Sequence, residues 1–584
     1  MTTQRNISFV ISTIYLVLLL CGTLFFTPDI FVSRYITAPI LWLQAWLGIG
    51  LLLYAFLKKG NIDIPPPRYI GLILAWFFYH MVRGGWSFES LVNYMTVITV
   101  FLVFYWYWKE VPQRHISFAI FVCLGLIVSI WGLGQYLGWI SETYSLFTMT
   151  GPFNNPAGIS ASLALLFPFS LYSCYKSKGK TRWANIIVSL LMSVTVILCG
   201  ARAGILGIAV ATFLFTVHLL RKERGIKLSF FHHVIIALAC ILLLGGLYFM
   251  KKDSADGRLL IWQCSGQLVK QAPLSGHGKN GFTAYYMTEQ ANYFSRHPQS
   301  KFAMLADNTS HPFNEFMKEV VEYGAIGFLL LAMLVVIPLY QSRKKHSLEI
   351  IIVRLSLLSI GICSFFSYPL YYPFIRLMIV LLLAYLVAEQ ERSIVTSLHN
   401  TYFSKSTIGI VSIFILVIAV YQVRIEYKWN KIADNSLSGF TEEMLPEYQE
   451  LYSGSYLKEN ALFLYNYASE LNQAGEYANS NIILLECCNY MNDLEVQMLM
   501  ASNFEKMNDV VSAEQSLILI SRMVPVRFFP LYRLAKLHEK KGDKTKAREV
   551  AERIICKEIK IPSMKITVMK NEMEELITKH QTNE

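Results

Sequence analysis

Three residues that lie far apart in the chain have side chains suited to a reaction in which an anion leaves and a hydroxyl attacks. Arg202 lies in LCGARAGILG, between two apolar runs, and Arg258 opens the segment GRLLIW. A guanidinium presents a rigid fork of donors that matches phosphate oxygens in a bidentate manner. His311 lies in SHPFNEF, and an imidazole that nearby arginines keep neutral can take the proton of an attacking hydroxyl. These three residues are the candidate catalytic groups.

Residues that follow Arg258 extend the candidate site toward substrate binding. Trp262 lies at an i, i+4 spacing from Arg258, which places both side chains on one face of a helix. The pattern P-x-x-G-x-G-x-x-x-F then supplies Gly276 and Gly278 in a predicted turn whose backbone amides can approach an anion. A turn without a ligand is the structural alternative for these glycines.

Four further polar residues are candidates for substrate binding. Asn314 and Glu315 open the apolar run that follows His311, where they are predicted to cap a helix and to suit its positive end. Asn155 lies in TGPFNNPAG, where turn chemistry is the alternative explanation. Arg376 begins a late apolar run and is a candidate third cation, with anchoring at a membrane surface as the alternative.

The sequence does not call for a metal ion or an organic cofactor. No Asp-x-Asp pair occurs between residues 251 and 316, and Asp253, Asp256 and Asp307 are isolated from one another. We therefore expect chemistry that uses side chains alone.

Composition indicates that these residues are positioned by membrane helices. Hydrophobic residues make up 54% of the chain and charged residues only 16%, with a mean hydropathy of +0.41, which is far from the soluble average. We predict an all-α, polytopic helical bundle of about twelve or thirteen spans. The predicted spans lie near residues 8–27, 37–57, 69–82, 92–108, 116–139, 158–175, 184–199, 203–220, 232–250, 317–340, 350–366, 371–389 and 406–424.

The distribution of Lys and Arg predicts the orientation of the bundle. With a cytoplasmic N-terminus, the loops on the cytoplasmic side hold eighteen Lys and Arg residues, and the opposite short loops hold only Arg34, Arg83 and Arg202. Positive residues favour the cytoplasmic side of short loops. Residues 251–316 and the C-terminus are therefore predicted to lie on the outer side. No basic, aromatic-interleaved surface suggests nucleic acid.

A second domain is predicted from residue 425 to residue 584, after a membrane domain that covers residues 1–424. Ala468, Ala501 and Ala535 recur at intervals of 33 and 34, and Gly475, Asn508 and Gly542 follow the same intervals. This period is typical of helical-hairpin repeats and resembles the tetratricopeptide repeat. Two interpretations stay open, namely a surface that binds a protein partner and a structural lid on the membrane domain.

The motifs in the first 424 residues resemble those of the O-antigen ligase superfamily, which also contains O-antigen polymerases and bacterial protein O-oligosaccharyltransferases. The resemblance is carried, in order, by GPFNNP, ARAG, R-x-x-x-W, P-x-x-G-x-G-x-x-x-F and HPFNE followed by E-x-G-x-x-G. Three positions depart from the usual family pattern: Ala157 stands where many members have Asn, Ala201 where they have Ser, and Phe313 where they have His. The last departure concerns the identity of the base.

The resemblance implies a metal-independent, inverting glycosyltransferase of the bacterial inner membrane, acting at its periplasmic face. Its donor would be a glycan on undecaprenyl diphosphate, with Arg202 and Arg258 on the diphosphate and His311 at the acceptor hydroxyl. The acceptor stays open between lipid A core, an exported protein and another glycan unit, as for a polymerase. Two hypotheses from other classes remain, namely a transporter of a lipid-linked glycan and a non-catalytic scaffold.

Overall fold

The fold is described by a computed structural model for residues 2–58, 62–111, 113–141, 147–225, 245–246, 248–390, 397–398 and 401–581. The described chain is almost entirely helical, and the prediction of an all-α polytopic membrane protein is confirmed. The exception is a two-residue antiparallel pairing of Ile62–Asp63 (β1) with Ser397–Leu398 (β2).

The membrane part contains eleven long described helices that follow the predicted spans, and a twelfth that leads out of it. They are α1 (Thr2–Phe25), α2 (Thr37–Leu57), α3 (Pro67–Gly84), α4 (Phe88–Glu110), α5 (Arg114–Tyr136), α6 (Pro156–Lys176), α7 (Gly179–Leu198), α8 (Arg202–Arg224), α11 (Glu315–Ser342), α12 (Leu348–Phe366), α13 (Pro373–Gln390) and α14 (Thr401–Leu437). Two loop helices described below, α9 and α10, separate α8 from α11.

Ten of these helices are long and apolar enough to cross a membrane. The other two are α1, whose apolar part is the shorter segment Phe9–Phe25, and α3, which is not among the ten. The predicted span at residues 232–250 lies largely outside the described residues. The count of twelve or thirteen spans therefore depends on hydropathy alone at α1, at α3 and at residues 232–250.

The centre of the bundle is formed by α6 and α13, which bury most of their residues, whereas α7, α8 and α14 bury few. A helix that is apolar all round yet exposed on most sides is suited to lipid rather than water. Polar caps fix where several helices begin: Ser87 accepts from the amide of Ser90 before α4, and Ser347 accepts from the amide of Ile350 before α12.

The predicted outer loop folds as two helices and a short turn. Helix α9 (Lys252–Gln271) carries Arg258 and Trp262, and α10 (Gly281–Arg296) follows the glycine turn. A 3-10 turn at Lys301–Met304 leads toward His311.

The C-terminal residues form a series of short helices. These are α15 (Thr441–Gly454), α16 (Ala461–Gln473), α17 (Tyr477–Cys487), α18 (Leu494–Lys506), α19 (Val510–Met523), α20 (Phe529–Lys541), α21 (Lys544–Ile555) and α22 (Met564–Gln581). Helices α16 to α21 make three successive hairpins, and the small residues Ala468, Ala501 and Ala535 are fully buried in them.

Each of these hairpins turns through a residue in the left-handed region. Gly475, Asn508 and Gly542 have φ values of 83°, 59° and 84° respectively. Glycine and asparagine adopt this conformation at low cost, which explains why these residue types recur at the period of the repeat. The resemblance to the tetratricopeptide family itself stays a prediction.

The loop helices and the C-terminal hairpins share one hydrophobic core. Phe282, Tyr286 and Phe294 of α10 lie in the same cluster as Leu517 and Ile520 of α19. Four helices, α11 to α14, separate the loop from the hairpins, and an even number of crossings returns the chain to the same side. Both observations agree that the loop and the C-terminus share one face of the bundle, which we call the loop face.

The predicted domain boundary falls inside a helix, because α14 runs through residues 424 and 425 without a break. Trp429 and Ile432 near the end of α14 are buried in a cluster with Phe463 and Leu464 of the first hairpin. The last membrane helix therefore continues directly into the core of the C-terminal module.

Candidate functional site

Arg202 begins α8 at the loop face, where tight packing fixes the helix. A Cβ at Gly204 would collide with the hydroxyl of Ser160 on α6, so only glycine allows the two helices to approach this closely. The Arg202 guanidinium donates to the carbonyl of Lys251 at 3.2 Å and to the Ser254 hydroxyl at 3.3 Å. These bonds tie the start of α8 to the start of α9.

Arg258 and Trp262 lie on one face of α9, as their spacing predicts, and both contact the segment that follows His311. The Arg258 Cζ atom lies 5.2 Å from the ring centroid of Phe313. The Trp262 indole N–H donates to the carbonyl of Pro312 at 2.9 Å. The indole N–H of Trp262 therefore holds the backbone next to His311 and is not directed at a substrate.

Phe313 has a strained backbone, with φ at 52° in a region that aromatic residues seldom adopt. Such a conformation costs about 1–3 kcal/mol and persists only where the surroundings impose it. Here the ring is held by Arg258 on one side and by an edge contact with Tyr368, at 5.4 Å between centroids. The position where the family often has His therefore has a side chain that packs against the guanidinium of Arg258.

His311 lies between two tyrosines of the connection from α12 to α13. Its ring stacks on Tyr368 with centroids 4.3 Å apart and meets the edge of Tyr371 at 5.1 Å. Burial, and secondarily the positive charge of Lys318, lowers the pKa of His311 to about 3. Within the described chain, no group hydrogen-bonds to its ring nitrogens. The ring is therefore neutral at physiological pH and has an acceptor nitrogen to offer a hydroxyl.

Glu315 secures the turn that carries these tyrosines. Its carboxylate accepts a hydrogen bond of 2.7 Å from the amide of Leu370, inside the 3-10 turn Pro369–Tyr371. The Tyr372 hydroxyl donates to Asn154 at 3.2 Å and so ties the same turn to the start of α6. Glu315, predicted to bind substrate, is thus engaged in holding Tyr368 and Tyr371 around His311.

The two arginines interact electrostatically with each other. Burial first, and the charge of Arg202 second, lower the pKa of the Arg258 guanidinium to about 10, while Tyr368 opposes the change. Arg258 is still positively charged at neutral pH. Two like charges held in a half-buried place repel each other until an anion lies between them.

The amides of the glycine turn are bonded within the protein, which agrees with the structural alternative of a turn without a ligand, and substrate binding by Gly276 and Gly278 stays a prediction. The amides of His277 and Gly278 donate to the carbonyls of Val321 and Glu322, at 2.9 and 2.7 Å, and the amide of Gly276 donates to Ala272 at 3.0 Å. The partner carbonyls are available because α11 breaks at Gly324, where φ is 67° and ψ is −170°.

The same turn and the break in α11 form a clasp, which we define as residues 273–278 docked on residues 321–326. Ala325 and Ile326 donate back to the carbonyls of Pro273 and Leu274. Arg83 of α3 closes the clasp by donating to the carbonyls of Ser275 and Gly276, at 3.0 and 2.7 Å. Sequence reasoning missed Arg83, although it is one of three basic residues in the short outer loops.

The two predicted asparagines cap helices. Asn314 accepts from the amide of Met317 at 3.0 Å, so the prediction that it caps the next span is confirmed. Asn155 accepts from the amide of Ala157 at 2.9 Å at the start of α6, which agrees with the structural alternative. Helix capping alone explains where the side-chain oxygens of Asn314 and Asn155 lie, without a contact to substrate.

Arg376 interacts with the charged first turn of α11. It is half-buried in the first turn of α13, where it interacts with the charges of Glu315 and Lys318. The electrostatic environment of Arg258 is instead set by Arg202 and Tyr368. Arg376 thus links α13 to α11, and its role as a third cation stays a prediction.

Sequence reasoning also missed Tyr368, Tyr371 and Lys318. The tyrosines lie in the run SYPLYYP, which interrupts two spans and is unusually aromatic for a connection. Lys318 lies four residues after Asn314, in the first turn of a span, and an ionisable residue there is itself a signal of function. The missed signals were thus present, but the hydropathy pattern assigned them to span ends.

Among the residues that the structure describes, no three His, Cys, Asp or Glu side chains are grouped as metal ligands would be. Metal independence stays a prediction, since the donor set at the site consists of cations, an imidazole and phenols.

The comparisons with known proteins fall on this same stretch of chain. The family model described as O-antigen ligase matches residues 187–332, which contain Arg202, Arg258, the clasp and His311. Over these residues the chain is similar to the O-antigen ligase superfamily. The superfamily match supports a membrane enzyme of the O-antigen ligase or polymerase type, which acts on a lipid-linked glycan.

A relative from Haemophilus influenzae, described as an uncharacterized protein, is 24% identical over 390 residues. The similarity covers 60% of this chain and 89% of the relative. The similarity thus extends over more of the chain than residues 187–332, without adding a named activity.

Proposed function

We propose that this protein transfers a glycan from undecaprenyl diphosphate to an acceptor hydroxyl at the periplasmic face of the bacterial inner membrane. The observation that supports this best is the convergence of Arg202, Arg258 and His311 from three separate segments at the loop face. The positive-inside bias of the loops supports the periplasmic assignment of that face.

Arg202 and Arg258 act on the leaving group. The acceptor oxygen attacks the anomeric carbon from the side opposite the diphosphate, the bond from that carbon to the diphosphate oxygen breaks, and the electron pair leaves on the diphosphate. Negative charge therefore grows where two fixed cations already repel each other, and stabilisation of charge in a water-poor site is a large catalytic contribution. Attack from the opposite side inverts the anomeric configuration.

His311 acts on the hydroxyl. Its neutral ring accepts the hydroxyl hydrogen bond and takes the proton as the new glycosidic bond forms. A bound diphosphate raises the pKa of the imidazole from its value in the empty site, because an opposite charge nearby favours the protonated form. The proton then passes to the departing diphosphate or to water.

The experiment incubates purified full-length protein with undecaprenyl-diphosphate glycan and EDTA, and reads products by mass spectrometry. Lipid A core, an exported protein and excess donor lipid are offered separately, because ligase, oligosaccharyltransferase and polymerase share this site. We expect transfer to one of the acceptors. Arg258→Ala should abolish this transfer. His311→Ala should reduce transfer far more than it reduces donor binding. A polymerase would extend the donor glycan instead.

Failure with all three acceptors would contradict the transferase proposal. In that case movement of labelled lipid across liposomes that contain the protein would favour a transporter. The arrangement of the site already argues against one, since transporters place binding groups near the bilayer midplane, whereas Arg202 lies at the start of α8 and Arg258 and His311 lie in the loop between α8 and α11. Normal transfer by a variant of Arg202, Arg258 or His311 would remove that residue from the proposed site, whereas absence of both transfer and transport would favour a scaffold.

A further inference from the structure

A second polar cavity lies at the end of the bundle opposite the loop face. Helix α6 begins beside Arg202 at the loop face and ends at Lys176, so its C-terminal end lies at the opposite face. There the end of α4, the starts of α5, α7 and α12, and the end of α6 enclose a cavity of about 860 Å³. The residues used below are Ala119, Tyr172, Lys176, Asn185 and Glu349.

Several polar side chains in the wall of this cavity hydrogen-bond to one another, whereas Lys176 faces the cavity itself. The Tyr172 hydroxyl donates to Glu349 at 3.2 Å, and Asn185 donates to Ser177 at 3.0 Å. Of the residues that the structure describes, no carboxylate lies within ion-pair distance of Lys176, whose Nζ lies 6.0 Å from the ring centroid of Tyr172. Next to Lys176 in the chain, Lys178 on the α6–α7 connection and Lys180 and Arg182 in the first turn of α7 are also exposed. The cavity lining itself holds Lys109, Arg114 and Lys176 against Glu110 and Glu349, so its formal charge is positive and the neighbouring cations add to it.

The cavity continues into an apolar stripe on α5. Ala119 and Cys123 line its floor and are exposed, and Ile127 and Ile130 follow at 45% and 55% exposure. Residues at these spacings share one helix face. Trp183, 68% exposed at the start of α7, has the amphipathic ring that is enriched where a bilayer meets water. A ligand with a charged head and apolar chains would match both parts.

We propose that this cavity binds the phosphate head group of an anionic phospholipid, with its acyl chains along the α5 stripe. The lipid belongs to the leaflet opposite the loop face, which the charge distribution of the loops predicts to be cytoplasmic. Basic pockets between membrane helices on that side are suited to anionic head groups. The site is distinct from the Arg202, Arg258 and His311 site and does not depend on the reaction proposed there.

The test is native mass spectrometry of the full-length protein with phosphatidylglycerol or phosphatidylcholine of matched acyl chains. We expect preferential retention of phosphatidylglycerol, reduced about fivefold in Lys176→Gln, which removes one cation. Ala119→Trp, which fills the cavity without changing its charge, should reduce it as well. The control is Lys344→Gln, an exposed lysine on the α11–α12 connection that does not line the cavity.

Equal retention of both lipids, or unchanged retention in both cavity variants, would overturn the proposal. A separate arm adds glycerol phosphate, the head-group chemistry without acyl chains. Binding of glycerol phosphate together with indifference to lipid would assign the cavity to a soluble phosphate compound instead. Size-exclusion chromatography of each variant, compared with wild type, separates lost binding from lost folding.

Discussion

At the scale of single residues, the like charges of Arg202 and Arg258 destabilise the empty site through repulsion and favour binding of an anion in the occupied site. Arg258→Gln removes the repulsion, so we expect unchanged or slightly higher thermal stability together with a loss of transfer of about 10²–10³-fold. The measurement pairs turnover with the midpoint of thermal unfolding in detergent. Arg296→Gln, a solvent-exposed arginine on α10, is the matched control. A parallel loss of stability and transfer would assign Arg258 a structural role.

Ligand binding at the same residues gives a second prediction. Because a diphosphate relieves the repulsion between the guanidiniums, inorganic pyrophosphate should raise the unfolding midpoint of wild type in proportion to its occupancy. Arg258→Gln should respond much less than wild type. An equal response in both proteins would place pyrophosphate elsewhere.

The lowered pKa of His311 predicts how kcat/KM varies with pH. Its pKa is lowered to about 3 in the free protein, so the ring stays neutral at every pH above that value and gains no proton between pH 5 and 8. Because kcat/KM reports the free enzyme, we expect no fall in kcat/KM through His311 as the pH drops from 8 to 5. A loss of activity with a midpoint near 6.5, absent from His311→Gln, would mean that the imidazole is exposed and ordinary.

At the scale of elements, the clasp between the glycine turn and α11 fixes the geometry of the loop. Gly324 has φ at 67°, and a Cβ there would collide with the Leu274 carbonyl, so Gly324→Ala combines strain of about 1–3 kcal/mol with a clash. We expect the unfolding midpoint to fall by several degrees. Gly266→Ala on α9, where a Cβ has open space, should be neutral or slightly stabilising.

The elements also show what sequence reasoning can reach. The i, i+4 pairing of Arg258 with Trp262 and the cap at Asn314 follow from local geometry, so both were predictable. The clasp was not, because its acceptor carbonyls become free only where α11 breaks, more than forty residues further along. The stacking of His311 on Tyr368 likewise depends on where Glu315 holds the α12–α13 connection, and no local pattern contains that information.

At the scale of the whole molecule, the shared core indicates that the C-terminal module supports the site. Gln290 of α10 is fully buried and donates to the carbonyls of Met523, in α19, and Asp307, at 2.6 and 3.2 Å. Gln290→Ala leaves both carbonyls without that donor, at a cost of about 1–3 kcal/mol. We expect faster proteolysis between the loop and the module and a lower rate of transfer. The control is Gln263→Ala, at an exposed position on α9. Identical behaviour of the two variants would mean that the C-terminal module does not support the site.

The break in α11 has a consequence for where the bilayer surface lies. The unbroken part of the helix runs from Ala325 to Ser342, and eighteen residues at 1.5 Å each span about 27 Å, close to the thickness of the hydrocarbon layer. The first turns, with Glu315, Lys318 and Glu322, then lie above the acyl chains, at the depth of lipid phosphates. The position of Gly324 along α11 thus sets how far these charged groups stand above the hydrocarbon layer, which is the depth that the proposed lipid diphosphate donor requires.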